Sequence, residues 1–146
     1  MFMRATSFNS DLSNWDVTSV ADMTFMFMRA ISFNGDLSKW DVASVSDMAG
    51  MFRQAHAFNG DLSIWDVSSV TNMDDMFLNA VSFNQKLCGA NWFRSKAKYR
   101  KSGRVSCCAP GGAWFKNCGG LGSKNVDHRW SEGVKACKRK FKANHM

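Results

Sequence analysis

The sequence predicts an α/β repeat fold, a solenoid with a short parallel strand and a short helix in every 25-residue coil. Two observations predict it. The stretch FNGDLSKWDV, Phe33–Val42, has near copies beginning at Phe8 (FNSDLSNWDV) and at Phe58 (FNGDLSIWDV). Laid under one another, copies starting at Met1, Met26 and Met51 share 14 identical positions, and a fourth, divergent copy starts at Met76. A period in the twenties marks a chain that stacks on itself, each unit packing only against its neighbours. Within each copy the apolar spacing also switches from the alternation of a strand to the three-and-four steps of a helix.

The strand comes first. Leu37, Trp40 and Val42 follow L-x-x-L-x-L spacing, which makes the coil leucine-rich-repeat-like with Trp in the middle place. Alternation places Trp40 and Val42 inward and Asp41 outward. The helix follows, because Val45, Met48, Phe52, Ala55 and Phe58 fall on one helical face. Ser44 with Asp47 reads as its capping box, repeated by Ser19 with Asp22 and Ser69 with Asn72. A turn at Phe-Asn-Gly returns the chain to the next strand, with Gly35 and Gly60 permitting a tight bend. A purely β solenoid is the alternative architecture, since the helix would span only about three turns. A lone coil cannot cover both sides of its own apolar residues, so the repetition is first a stability requirement.

Composition divides the chain near Leu87. Residues 1–87 hold five basic and ten acidic side chains, a net charge of −5, whereas residues 88–146 hold fourteen basic and two acidic ones, a net charge of +12. The expected domains are therefore a solenoid of about four coils over 1–93 and a basic tail over 94–146 that contains cysteine and either folds or stays disordered. No run of about 20 apolar residues marks a transmembrane segment. The opening MFMRATSFNSD lacks the charged and apolar regions of a signal peptide. Because Met1 sits at a repeat boundary, the sequence is expected to be a piece of a longer protein.

The copies resemble the BspA-like leucine-rich-repeat surface proteins of the pattern M-F-x-x-A-x-x-F-N-x-D-L-S-x-W-D-V-S-S-V-T-x-M. Met51–Met73, MFRQAHAFNGDLSIWDVSSVTNM, matches it almost throughout, and the resemblance extends from residue 1 to about 93. It implies a secreted or cell-surface protein that binds a protein or glycan in adhesion or recognition, with no enzymatic activity and no cofactor. The fourth copy departs from the pattern: Lys86 stands for Asp, Cys88 for Ser and Ala90 for Trp, a charge reversal and a smaller core residue that suit a terminal coil.

Candidate sites follow from the outward positions. Asn14, Asp16, Lys39, Asp41, Asp66 and Ser68 form the expected ligand-binding ribbon, since solenoids bind along extended faces. Stacked Asp16, Asp41 and Asp66 are a minor candidate for a Ca²⁺ column; bonding to turn amides is the favoured reading. Asn9, Asn34, Asn59 and Asn84 read as an internal structural ladder that satisfies buried backbone groups at the turn. The Trp and Phe columns read as core.

Catalysis needs a second group within hydrogen-bond reach, and nothing constant in the repeats supplies a nucleophile with its base. His56 occupies a variable position shared with Thr6, Ile31 and Val81 and reads as a surface substitution. In the tail, FRSKAKYRKSGR and KACKRKFK interleave basic and aromatic residues, so a polyanion or nucleic-acid role is the alternative function, though nucleic acid is the less favoured partner. Cys107, Cys108, Cys118, His128 and Cys137 lack zinc-site spacing. The pairing of these cysteines and Cys88 is open, with one or two disulfides expected in an oxidising compartment.

Overall fold

The computed structural model describes residues 2–87, 91, 92, 97, 106–108 and 114–115. Over residues 2–87 the chain winds into successive coils, one per sequence repeat, each hydrogen-bonded to the next. Backbone N–H groups reach forward from Met23, Phe25, Phe27 and Arg29 to the carbonyls of Asp47, Ala49, Met51 and Arg53 at 2.8–2.9 Å. One coil later Met48, Gly50, Phe52 and Gln54 donate in the same way to Asn72, Asp74, Met76 and Leu78. On another side the direction reverses, and Ser32, Ala57 and Ser82 donate back to Thr6, Ile31 and His56.

The expected helix does not form. Residues 48–58 are a succession of turns, closed by bonds from Met51 to Met48, Arg53 to Gly50, Ala55 to Phe52 and Phe58 to Ala55. Between these three-residue closures, the intervening N–H groups donate to the next coil, which leaves none for the i→i−4 ladder of a helix. Left-handed backbone interrupts the stretch twice, at Gly50 (φ 58°) and Gln54 (φ 59°). The same two places are left-handed in neighbouring coils, at Phe25 and Asp75 and at Arg4, Arg29 and Asn79. Such a conformation costs about 1–2 kcal/mol for an L-residue with a side chain; here cross-coil hydrogen bonds from Arg4, Phe25, Arg29 and Gln54 offset it.

The capping boxes are therefore not helix caps. Asp22, Asp47 and Asn72 instead accept the backbone N–H two residues ahead, from Thr24, Ala49 and Asp74, at 2.7–3.0 Å. The strand expected over Leu37–Val42 is also absent, because Trp40 N–H closes a turn on the Leu37 carbonyl at 3.1 Å. The parallel bridges lie elsewhere, pairing Asp22 with Asp47 and Asp47 with Asn72.

Nine apolar positions per coil point inward. In the second and third coils Phe27, Phe33, Phe52 and Phe58 are fully buried, and Leu, Val, Met and Ala fill the remaining places. The phenylalanines stand in two files. Phe2, Phe27, Phe52 and Phe77 are 5.5–5.6 Å apart with nearly parallel rings, and Phe8, Phe33, Phe58 and Phe83 are 5.7–6.0 Å apart. The two files touch within each coil, as at Phe52–Phe58, 3.9 Å. Trp40 and Trp65 tilt against Phe27 and Phe52 and donate their indole N–H to the carbonyls of Leu12 and Leu37, one coil back. A buried indole needs such a partner.

The fourth copy keeps this bond by another route. Its expected tryptophan place holds Ala90, but Trp92 is buried and donates to the Leu62 carbonyl at 2.7 Å. The core position read as reduced in the last coil is thus supplied two residues later. Beyond it, β1 (Lys86–Leu87) pairs in parallel with β2 (Ser106–Cys108), which pairs antiparallel with β3 (Trp114–Phe115). No helix among the described residues is long and apolar enough to cross a membrane.

Candidate functional site

The positions that are constant between copies are engaged in holding the coils. Asp16, Asp41 and Asp66 each turn a carboxylate oxygen onto the N–H two residues ahead, in Thr18, Ala43 and Ser68, at 3.0–3.1 Å. Asp11, Asp36 and Asp61 do the same with Ser13, Ser38 and Ser63. These bonds hold several of the carboxyls below the ordinary aspartate value of 3.8. The backbone N–H of Ser13 and Ser38 dominates for Asp11 and Asp36, and the hydroxyl of Thr18 and Ser68 for Asp16 and Asp66. Asp16, Asp41 and Asp66, the candidate Ca²⁺ column, thus each cap a turn of their own coil, and among the described residues no three His, Cys, Asp or Glu side chains gather as a metal cluster.

The asparagines form a ladder at the surface. Asn9, Asn34 and Asn59 each accept, through the side-chain oxygen, the backbone N–H of the next one, at Asn34, Asn59 and Asn84, all at 2.8 Å. Of the expected binding ribbon, Asn14, Asp16, Lys39, Asp41 and Ser68 are exposed and Asp66 is half-buried. Asn14 and Lys39 share their variable place with Ile64, an exposed apolar side chain.

A second variable face has the shape of a site. Positions four and six of three successive coils, Arg4 and Thr6, Arg29 and Ile31, Gln54 and His56, line an open groove of about 350 Å³. The left-handed residues of position four border it. Arg29 is fixed there by its Nε, which donates to Gln54 Oε1 at 2.6 Å. Beside it Arg53 is paired with Asp75 at 2.9 Å. Asn79 and Val81 hold the same two places in the fourth coil, and Val81 is 68% exposed.

A family model described as "Mycoplasma protein of unknown function, DUF285" matches residues 1–102. That span is more than half of the chain. The chain belongs to the DUF285 family. Comparison with curated proteins and with solved structures finds no match.

Sequence reasoning singled out His56 in this DUF285 chain but not the groove around it. The signal was present, because positions four and six change from copy to copy while their neighbours at two, five and eight do not. What the sequence withheld was the turn geometry that brings two such positions to one concave face. Cys88, Cys118, His128 and Cys137 of the tail lie outside the described residues, and Cys107 and Cys108 are described only as backbone in β2.

Proposed function

We propose that this DUF285 chain is a non-enzymatic binding module of the BspA-like leucine-rich-repeat type, secreted or held at a cell surface. Its stacked coils form a solenoid that presents variable side chains to a glycan or protein partner. One observation carries the reading: constant polar positions are engaged in turns and ladders, whereas exposed places vary between copies, both at Asn14, Lys39 and Ile64 and in the groove at Thr6, Ile31, Gln54 and His56, which Arg4 and Arg29 also line. A scaffold that keeps its framework and varies exposed side chains is built as a recognition surface is.

The test applies the labelled full chain to arrays of glycans and of extracellular matrix proteins. Two pairs of substitutions are compared with the parent: Ile31→Ser with His56→Ala in the groove, and Asn14→Ala with Lys39→Ala on the ribbon. The reading expects a reproducible ligand whose binding falls in at least one pair while the melting temperature is unchanged. No bound ligand, or binding indifferent to both pairs, removes the support for it.

A further inference from the structure

We propose that the groove holds an acidic glycan, with its carboxylate or sulfate groups gripped by Arg4 and Arg29; this rests on the binding-module reading and specifies its ligand. Charge is segregated over residues 1–87. Of the five basic side chains, Arg4 and Arg29 line the groove and Arg53 is paired with Asp75, whereas none of the ten aspartates is a lining residue. Within residues 1–87 a polyanion is repelled by the surrounding carboxylates and drawn to this arginine-lined groove, in competition with the fourteen basic side chains of residues 88–146.

Arg29 is pre-organised. The bond from its Nε to Gln54 uses one of five guanidinium donors, and a held guanidinium loses less freedom when it grips an oxyanion. Arg4 occupies the same place one coil earlier, and equivalent core rings of successive coils are 5.5–6.0 Å apart. That advance is close to one sugar unit along an extended polysaccharide. Thr6, Gln54 and His56 offer hydrogen bonds suited to sugar hydroxyls, and Ile31 offers apolar surface to a ring face.

The backbone of the groove argues against an extended peptide. A peptide strand docks by adding main-chain hydrogen bonds to an open edge. Here the N–H groups of Arg4, Arg29 and Gln54 already donate to Met28, Arg53 and Leu78, and the carbonyls of Thr6, Ile31 and His56 already accept from Ser32, Ala57 and Ser82. Recognition is left to side chains. Nucleic acid fits less well, because no Phe, Tyr or Trp is among the lining residues to stack a base.

The experiment titrates the full chain with a heparin-derived hexasaccharide in about 0.15 M salt, alongside neutral maltohexaose, polyglutamate and oligothymidylate. The decisive variant is Arg4→Gln with Arg29→Gln; glutamine already occupies this left-handed place at Gln54 (φ 59°), so the coil keeps its conformation. Expected are heparin binding that weakens at least about tenfold in this variant, a shallower salt dependence, and no binding of maltohexaose. A tail variant, Lys138→Gln with Arg139→Gln and Lys140→Gln, should bind heparin as the parent does.

Heparin binding that ignores the arginine pair overturns the proposal, whether or not it survives in the tail variant. Polyglutamate or oligothymidylate held as tightly as heparin, with the same arginine dependence, overturns the glycan assignment. If the Ile31 and His56 pair controls capture of an uncharged ligand while the arginine pair controls nothing, the acidic-glycan proposal falls and the binding-module reading stands. Indifference of every ligand to both pairs removes both.

Discussion

Trp15 and Trp65 occupy the same place in coils of nearly the same sequence, yet Trp15 is 49% exposed and Trp65 only 1%. Trp65 has a coil on each side and donates its indole N–H to Leu37; Trp15, in the first coil, is covered from one side. Phe2 and Phe8 are likewise half-buried where Phe52 and Phe58 are sealed. Burial here belongs to the neighbour as much as to the residue. Identical words in the sequence therefore have unequal energetic weight, set by whether a coil packs on each side.

Substitutions should reproduce that grading. Trp65→Ala removes a sealed side chain and its hydrogen bond and should cost about 3–5 kcal/mol in denaturant unfolding. Trp15→Ala should cost roughly half as much, since only part of its surface is withdrawn from water. Equal losses at the two sites would break the comparison. Next in size is Gly50→Ala, at about 1–3 kcal/mol, because Gly50 is left-handed and a Cβ there would lie 2.3 Å from the Phe25 ring. Adding Phe25→Ala should return part of that loss; if the double variant is no better than the sum of the singles, ring crowding is not the cause.

Smaller still is Asn59→Ala, which should cost about 1 kcal/mol by removing the acceptor of the Asn84 N–H. Asn9→Ala, at the end coil, removes the acceptor of Asn34 and should cost a similar amount, since this ladder lies near water at both ends. The comparison is sharpened if the asparagines are ungraded while the tryptophans are graded. The smallest effect is that of pH. Asp11, Asp16, Asp22, Asp36 and Asp66 have carboxyls lowered below 3.8 in the folded chain. The unfolded chain binds their protons more tightly, so their contribution is complete above about pH 5 and is lost as pH falls through the lowered values. The urea midpoint should be flat above that range and decline below it, less steeply in Asp36→Asn.

The inward positions were legible in the sequence because constancy and apolarity coincide in them. Every residue read as inward, from Leu37 to Phe58, is buried. The helix was misread for a physical reason. Turns that close on the third residue, as from Phe58 to Ala55, space apolar side chains by three just as a helical face does. Only the hydrogen-bond partner of the intervening N–H groups distinguishes the two, and that partner sits in the adjacent coil, as Met76 does for Phe52. The left-handed places escaped notice as well, since Phe25, Gly50 and Asp75 share no residue type that would announce them. Of the candidate site, variability at His56 was readable; the concavity joining it to Arg4 and Arg29 was not.

The bonds between coils run in both directions, forward from Phe27 and Arg29 and backward from Ser32 and Trp40, and each recurs at the same offset in the next coil. An excision of residues 26–50 would therefore bring the first coil against the third with matching donors, acceptors and rings. Duplication of a coil would be accommodated by the same rule. A gene of this kind can lengthen or shorten by whole units through unequal exchange between its copies, altering the reach of its variable face without redesigning a single joint.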